Sequence, residues 1–208
     1  MNRDGRARPG HHDQHRATPP GADLGTSAGT LPDLLRDGLN LIFIGINPSL
    51  YSVAQGHYFA RKTNRFWPAL SRSILSEPAR RALGVDQLLP VHDAALLAHG
   101  IGFTDVVKRP TARADELDPA EFADAARQLT AKLKIFQPRI VCFQGMMGFR
   151  PFLRVHAPDH PRPELGEQPI RIDRTRLFVV PSPSAANAHA SPAEQTAWYD
   201  RLAAVTRD

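Results

Sequence analysis

Leu41, Ile42, Phe43 and Ile44 follow one another without a polar interruption. A strand with one wet face alternates apolar and polar residues; one that does not alternate must be covered on both faces, as in a parallel sheet between helices. Gly45 closes the run. Ile46-Asn47-Pro48 then sets a polar amide just past the strand's carboxyl end, the edge at which open α/β sheets hold their ligands. A loop carrying Gly56, His57, Tyr58 and Phe59 comes next. After it, Asn64 precedes Arg65-Phe66-Trp67 and apolar residues recur at Phe66, Leu70 and Ile74, the pattern of a capped helix.

The rest of the chain repeats this logic. Leu31-Pro32-Asp33-Leu34-Leu35 reads as a short helical turn leading into the first strand. Pro78 interrupts the helix begun near Asn64, a further turn is expected over Ala79 to Leu83, and a short helix from about Asp93 to His99. Gly100 to Val107 reads as a glycine-loosened strand with a polar end, followed by the basic loop Lys108-Arg109-Pro110-Thr111. Asp118-Pro119-Ala120-Glu121 opens a helix whose stripe is Phe122, Ala126, Leu129, Leu133 and Phe136. A strand over Arg139 to Gln144 turns at Gly145 into a helix through Phe149 and Leu153, and Ala157 to Pro169 reads as a loop. Pro169 to Ile172 and Arg176 to Val180 bracket a hairpin at Asp173-Arg174-Thr175. Ser191-Pro192-Ala193-Glu194 caps a last helix with Trp198, Leu202 and Val205 on one face. The expected fold is α/β: three layers, α/β/α, around a central, mostly parallel sheet of about four strands. Polar segments after Ile44, Phe103 and Val180 would line one crevice.

The 208 residues suffice for one sizeable domain, expected over 29–208, and 42% hydrophobic residues provide a real core. Residues 1–28 lack apolar periodicity and read as a disordered tail. His11, His12 and His15 there are possible metal ligands in type, but no cysteine or second cluster joins them, so a solvated polar tail is the preferred reading. The single cysteine, Cys142, lies in the apolar run from Ile140 to Phe143 and reads as core; alone it cannot form an intrachain disulfide or hold a cysteine-ligated cluster. No segment approaches the ~20 apolar residues of a membrane span, and no apolar signal core opens the chain. An intracellular, cytoplasmic and nucleoid-associated monomer without a membrane partner is expected. A formal charge of +5 fits a polyanionic partner. Neither G-x-G-x-x-G nor G-x-x-x-x-G-K-S/T occurs.

Four motifs then carry a resemblance. Gly45-Ile46-Asn47-Pro48, Asn64-Arg65-Phe66-Trp67, Gly100-Ile101-Gly102-Phe103-Thr104 with Arg109-Pro110-Thr111, and Pro181-Ser182-Pro183-Ser184 stand in the order and rough spacing of the mismatch-specific uracil/thymine DNA glycosylases. The resemblance spans about Leu31 to Arg207. It implies the uracil-DNA glycosylase fold and a monofunctional enzyme, needing no metal or other cofactor, that flips uracil out of double-stranded DNA, mainly from G:U mismatches. Hydrolysis of the N-glycosidic bond would leave an abasic site.

The same resemblance assigns roles. Asn47 would position the attacking water; by itself it also suits a turn before Pro48. Phe59 resembles the aromatic that stacks on the flipped base, with core packing as its other reading, and backbone N–H groups near Ile46 and Phe59 would meet the base carbonyls. Lys62, Arg65, Lys108 and Arg109, with Arg61, would contact DNA phosphates. Ser184, Ala185, Ala186 and Asn187, within Ser182 to His189, resemble the loop that fills the gap in the duplex. Two departures stand there: relatives carry asparagine at the position of Ser182 and a glycine-leucine pair at Ala185-Ala186, and a methyl group is a short wedge. Asp105 departs too, standing where relatives often show lysine or asparagine. Asp105 and Asp93 are the two candidate carboxylates, of which one is proposed to assist Asn47; their other readings are a bond within the loop beside Lys108 and a helix N-cap. Another base preference (damaged cytosines, thymine, single-stranded uracil) and a non-catalytic binder of uracil or abasic DNA remain open.

Overall fold

The apolar run becomes the second strand of a five-stranded sheet ordered β2-β1-β3-β5-β4. The strands are β1 (Leu41–Gly45), β2 (Ile101–Asp105), β3 (Ile140–Gln144), β4 (Gly166–Ile172) and β5 (Thr175–Val180). All pairings are parallel except β4 with β5, which forms the expected hairpin. The computed structural model describes Met1 and residues 29–160, 162–188 and 190–207. The expected tail, with His11, His12 and His15, lies outside the described residues apart from Met1, and so does His189.

Burial on both faces accounts for the unbroken apolar run. Leu41 and Phe43 point into one core with Tyr58, Phe66, Trp67 and Leu70, and Ile42 and Ile44 into the other with Phe122, Leu129, Phe149 and Phe152. The first core lies under helices α2 (Phe66–Arg72), α3 (Glu77–Leu83) and α6 (Pro192–Arg207), the second under α4 (Pro119–Phe136) and α5 (Met146–His156). The fold is the expected three-layer α/β/α arrangement, with four parallel strands and the antiparallel hairpin arm β4 at the sheet's edge. Cys142 is buried in the first core.

Several elements differ from expectation. The stretch after Pro48 is not all loop: Ser49 accepts the Ser52 N–H at 3.1 Å and starts a helix, α1 (Leu50–Gln55), which Gly56 ends in a left-handed conformation. Leu31 to Leu35 forms no helical turn; Leu34 bridges Phe103 antiparallel at the free edge of β2. Pro78 starts α3 instead of ending a helix, since a missing N–H costs nothing in a first turn. Ile74 is exposed because the chain leaves α2 at the extended Ser73. The span 157–169 is not loop throughout, since β4 begins at Gly166. The capping box at Asp118 and Glu121 forms as expected, and so does that of Ser191 and Glu194. Among the described residues no helix is long and apolar enough to cross a membrane.

Candidate active site

Parallel strands end together, and in this order the connection from β1 leaves toward β2 while that from β3 leaves toward β5, so a crevice opens between their carboxyl ends. A cavity of about 820 Å³ occupies it. Gly45, Ile46 and Asn47 come to it from β1, Asp105 from β2, Gln144 from β3, and Ser182 from β5. Tyr58, Phe59 and Asn64 close one side, Thr111 and Arg113 another, and Ser184 to Asn187 the rim.

Asn47 is held through its amide nitrogen. Nδ2 donates to Thr111 Oγ1 at 2.7 Å and to the Arg109 carbonyl at 2.9 Å. Thr111 donates its own hydroxyl proton to the Arg113 carbonyl at 2.7 Å, so it presents only lone pairs to Asn47. The backbone reinforces this. Thr111 N–H reaches the Pro48 carbonyl, Leu50 N–H reaches the Thr111 carbonyl, and Ser49 and Thr111 form a parallel bridge. Asn47 Oδ1 has no protein donor among the described residues and belongs to a cavity-lining side chain. In the sequence Thr111 stands out only as part of a motif; its hold on Asn47 crosses between two strand-end loops and leaves no local signal.

Phe59 sits in a left-handed conformation, φ 52°, unusual for a residue with a side chain. Its ring stacks on Phe66, centroids 4.2 Å apart and planes 23° apart, and borders the cavity, so both of its proposed readings have a geometric basis. Neither the Ile46 nor the Phe59 N–H meets a protein acceptor among the described residues.

Asp105 is buried, yet reaches the cavity beside Gly45. A Cβ at Gly45 would stand 2.3 Å from Asp105 Oδ1, so glycine is what lets the carboxylate approach β1. Asp105 Oδ2 is buried and has no hydrogen-bond partner among the described residues; Lys108 Nζ lies 3.9 Å away. Burial pushes the Asp105 carboxyl up to about 7, with Lys108 opposing the rise and Asp33 adding to it. Asp93 is not brought to the cavity. Its oxygens accept the Tyr58 N–H at 2.9 Å and the Ala94 N–H at 2.6 Å, with His57 Nδ1 at 3.1 Å. It caps the 3₁₀ helix Ala94–His99 and ties down the segment bearing Phe59.

The four expected DNA-contacting cations have different surroundings. Lys62 is exposed, and Arg61 beside it lines the cavity rim. Lys108 is half-buried and paired with Asp33 at 2.8 Å, and Arg109 is forked onto Glu121 at 2.5 and 2.8 Å. Arg65 turns inward. Its guanidinium donates to the carbonyls of Ser184 and Asn187, each at 2.5 Å, and of Ala190, while its N–H meets the Pro183 carbonyl at 2.9 Å. Arg65 thus serves as a post that gathers Pro183, Ser184, Asn187 and Ala190, with the exposed Ser184, Ala185 and Ala186 at the loop's tip.

The family model of the Uracil DNA glycosylase superfamily matches residues 32–203, which takes in every one of these cavity elements. The chain belongs to the Uracil DNA glycosylase superfamily. Membership supports DNA glycosylase activity, hydrolysis of an N-glycosidic bond, and DNA as partner. Among solved structures, a solution NMR structure of a proposed uracil DNA glycosylase from Methanosarcina acetivorans aligns with 86% of this chain and 95% of its own, with TM-score 0.52 and 22% identity. At that identity the likeness speaks for the superfamily fold alone.

Proposed function

We propose that this superfamily member is a monofunctional glycosylase that excises uracil from double-stranded DNA, mainly from G:U mismatches, leaving an abasic site. The observation that carries the reading is the fixed Asn47 amide, whose nitrogen is held by Thr111 and the Arg109 carbonyl while Oδ1 has no protein donor among the described residues.

A base in a duplex must be extruded before it can be hydrolysed. In the pocket it would lie against the Phe59 ring, its carbonyl oxygens accepting from the Ile46 and Phe59 N–H groups. Asn47 Oδ1 accepts one O–H of a water and aims its oxygen at the sugar C1′. As the C1′–N1 bond breaks, its electron pair leaves with the base and the backbone N–H groups stabilise the anion. The water oxygen bonds C1′, and the Asp105 carboxylate takes the proton, a task that a neutral amide cannot perform. Above pH ~7 Asp105 is mostly ionised and able to do so.

Mismatch dependence follows from the loop tip. Alanine methyls at 185 and 186 fill little of the gap left by a flipped nucleotide, so extrusion depends on weak pairing in the substrate. Duplexes with uracil opposite guanine or adenine, incubated with excess protein and then treated with alkali, test this. Strand breaks only after alkali, faster for G:U than for A:U, are expected. Equal rates would remove the mismatch preference, and no breaks in either duplex would remove the activity.

A further inference from the structure

A set of charged groups behind the cavity floor has no part in the chemistry just described. Asp33, in the segment before β1, accepts from Thr104 Oγ1 at 2.7 Å and Lys108 Nζ at 2.8 Å through one oxygen, and from Lys132 Nζ of α4 through the other. Lys108 Nζ also lies 3.3 Å from the Tyr58 hydroxyl and 5.8 Å from that ring's centroid. Lys108 therefore has two carboxylates in reach but bonds only one: Asp33 at 2.8 Å, with Asp105 Oδ2 left at 3.9 Å. Lys108 and Lys132 outweigh the upward push of burial on Asp33 and hold its carboxyl below the usual range, so Asp33 stays ionised and keeps its grip.

We infer that Asp33 is a positioning residue, which anchors Lys108 away from Asp105 and so keeps the Asp105 carboxylate out of a direct ion pair and basic enough to take a proton. Without Asp33, the Lys108 ammonium is free to close onto Asp105. The ion pair would favour the ionised carboxylate and make it a weaker base. Lys132 acts in the opposite sense. Removing its charge leaves Asp33 less compensated, and that negative charge makes Asp105 harder to ionise.

The neighbours of Asp105 complete the balance. Its own exit loop contributes Lys108, the segment before β1 contributes Asp33, α4 contributes Lys132, and Gly45 of β1 brings no charge. Tyr58 is neutral, because burial and the carboxylates of Asp105, Asp33 and Asp93 push its hydroxyl far above the ordinary tyrosine range. Glu121 and Asp124 of α4 share a second cavity of about 250 Å³ with Asp105, and each is paired with an arginine, Arg109 and Arg127.

The inference rests on the reading of Asp105 as proton acceptor, and one experiment separates the two. Single-turnover excision of uracil from a G:U duplex is measured against pH for the unmodified protein, Asp33→Asn, Lys132→Met and Asp105→Asn. The unmodified rate is expected to rise through an acid limb. Asp33→Asn moves that limb down by about one pH unit, Lys132→Met moves it up, and Asp105→Asn abolishes it with most of the rate. A merely loosened fold would not shift the limb in opposite directions. Limbs that stay in place, or move together, overturn the role of Asp33 while an inactive Asp105→Asn upholds that of Asp105. A fully active Asp105→Asn with its limb intact overturns both. If Asp33→Asn does not fold, Lys132→Met decides alone: an upward shift supports the inference and an unmoved limb overturns it.

Discussion

An asparagine amide can rotate about its last bond and present either end, and the catalytic proposal depends on which end faces the cavity. Thr111 decides it, because a hydroxyl that already donates to the Arg113 carbonyl can only accept from Asn47 Nδ2. Thr111→Val keeps the shape and removes the acceptor. The single-turnover rate is expected to fall about 10²-fold, the scale of a misplaced catalytic group, with little change in duplex affinity. An unchanged rate would show that the Arg109 and Pro48 carbonyls suffice to hold the amide. At this scale the sequence was informative about types and poor about partners. Asn47, Phe59 and Asp105 were legible because they stand beside strand ends and recognisable motifs. The pairing of Lys108 with Asp33 and the hold of Thr111 on Asn47 were not, since both join segments far apart in the chain.

Among the elements, the loop after β5 is held from outside by Arg65, with Asn187 Nδ2 bonded to the Ser182 carbonyl inside it. Arg65 at the start of α2 gathers its carbonyls, so a residue that looked like a phosphate contact is internal to the protein. The two roles differ in a measurable way. Each phosphate neutralised adds about 0.9 to the slope of log affinity against log salt. Lys62→Glu is therefore expected to flatten the salt dependence of duplex binding by about one, and Arg65→Met to leave the slope unchanged while lowering excision from duplex more than from single-stranded DNA. A flattened slope in Arg65→Met would return it to the phosphate contacts. Elements with long periodicity, α4 above all, could be read directly from spacing and caps. The six-residue α1 was missed because it is too short for periodicity. Leu31 to Leu35 misled because Pro32 suits a helical start, whereas the open edge of β2 takes Leu34 as a bridge.

The whole molecule is a sheet whose parallel strands bring residues from four segments to one cavity, and the run at Leu41 to Ile44 already demanded that architecture. The antiparallel edge β4 lies at the far side of the sheet from β2, away from the strand ends that carry Asn47 and Asp105. Its loss of sequence contrast, with Gly166 and Pro169 in the strand, explains why only its second half was legible. The account stands on Asn47 as the group that places water at the sugar. Single-turnover excision from a G:U duplex, read as alkali-labile strand breaks, compares Asn47→Ala with the unmodified protein. The account predicts a loss of at least about 10²-fold with duplex binding retained; excision by Asn47→Ala at the unmodified rate would contradict it.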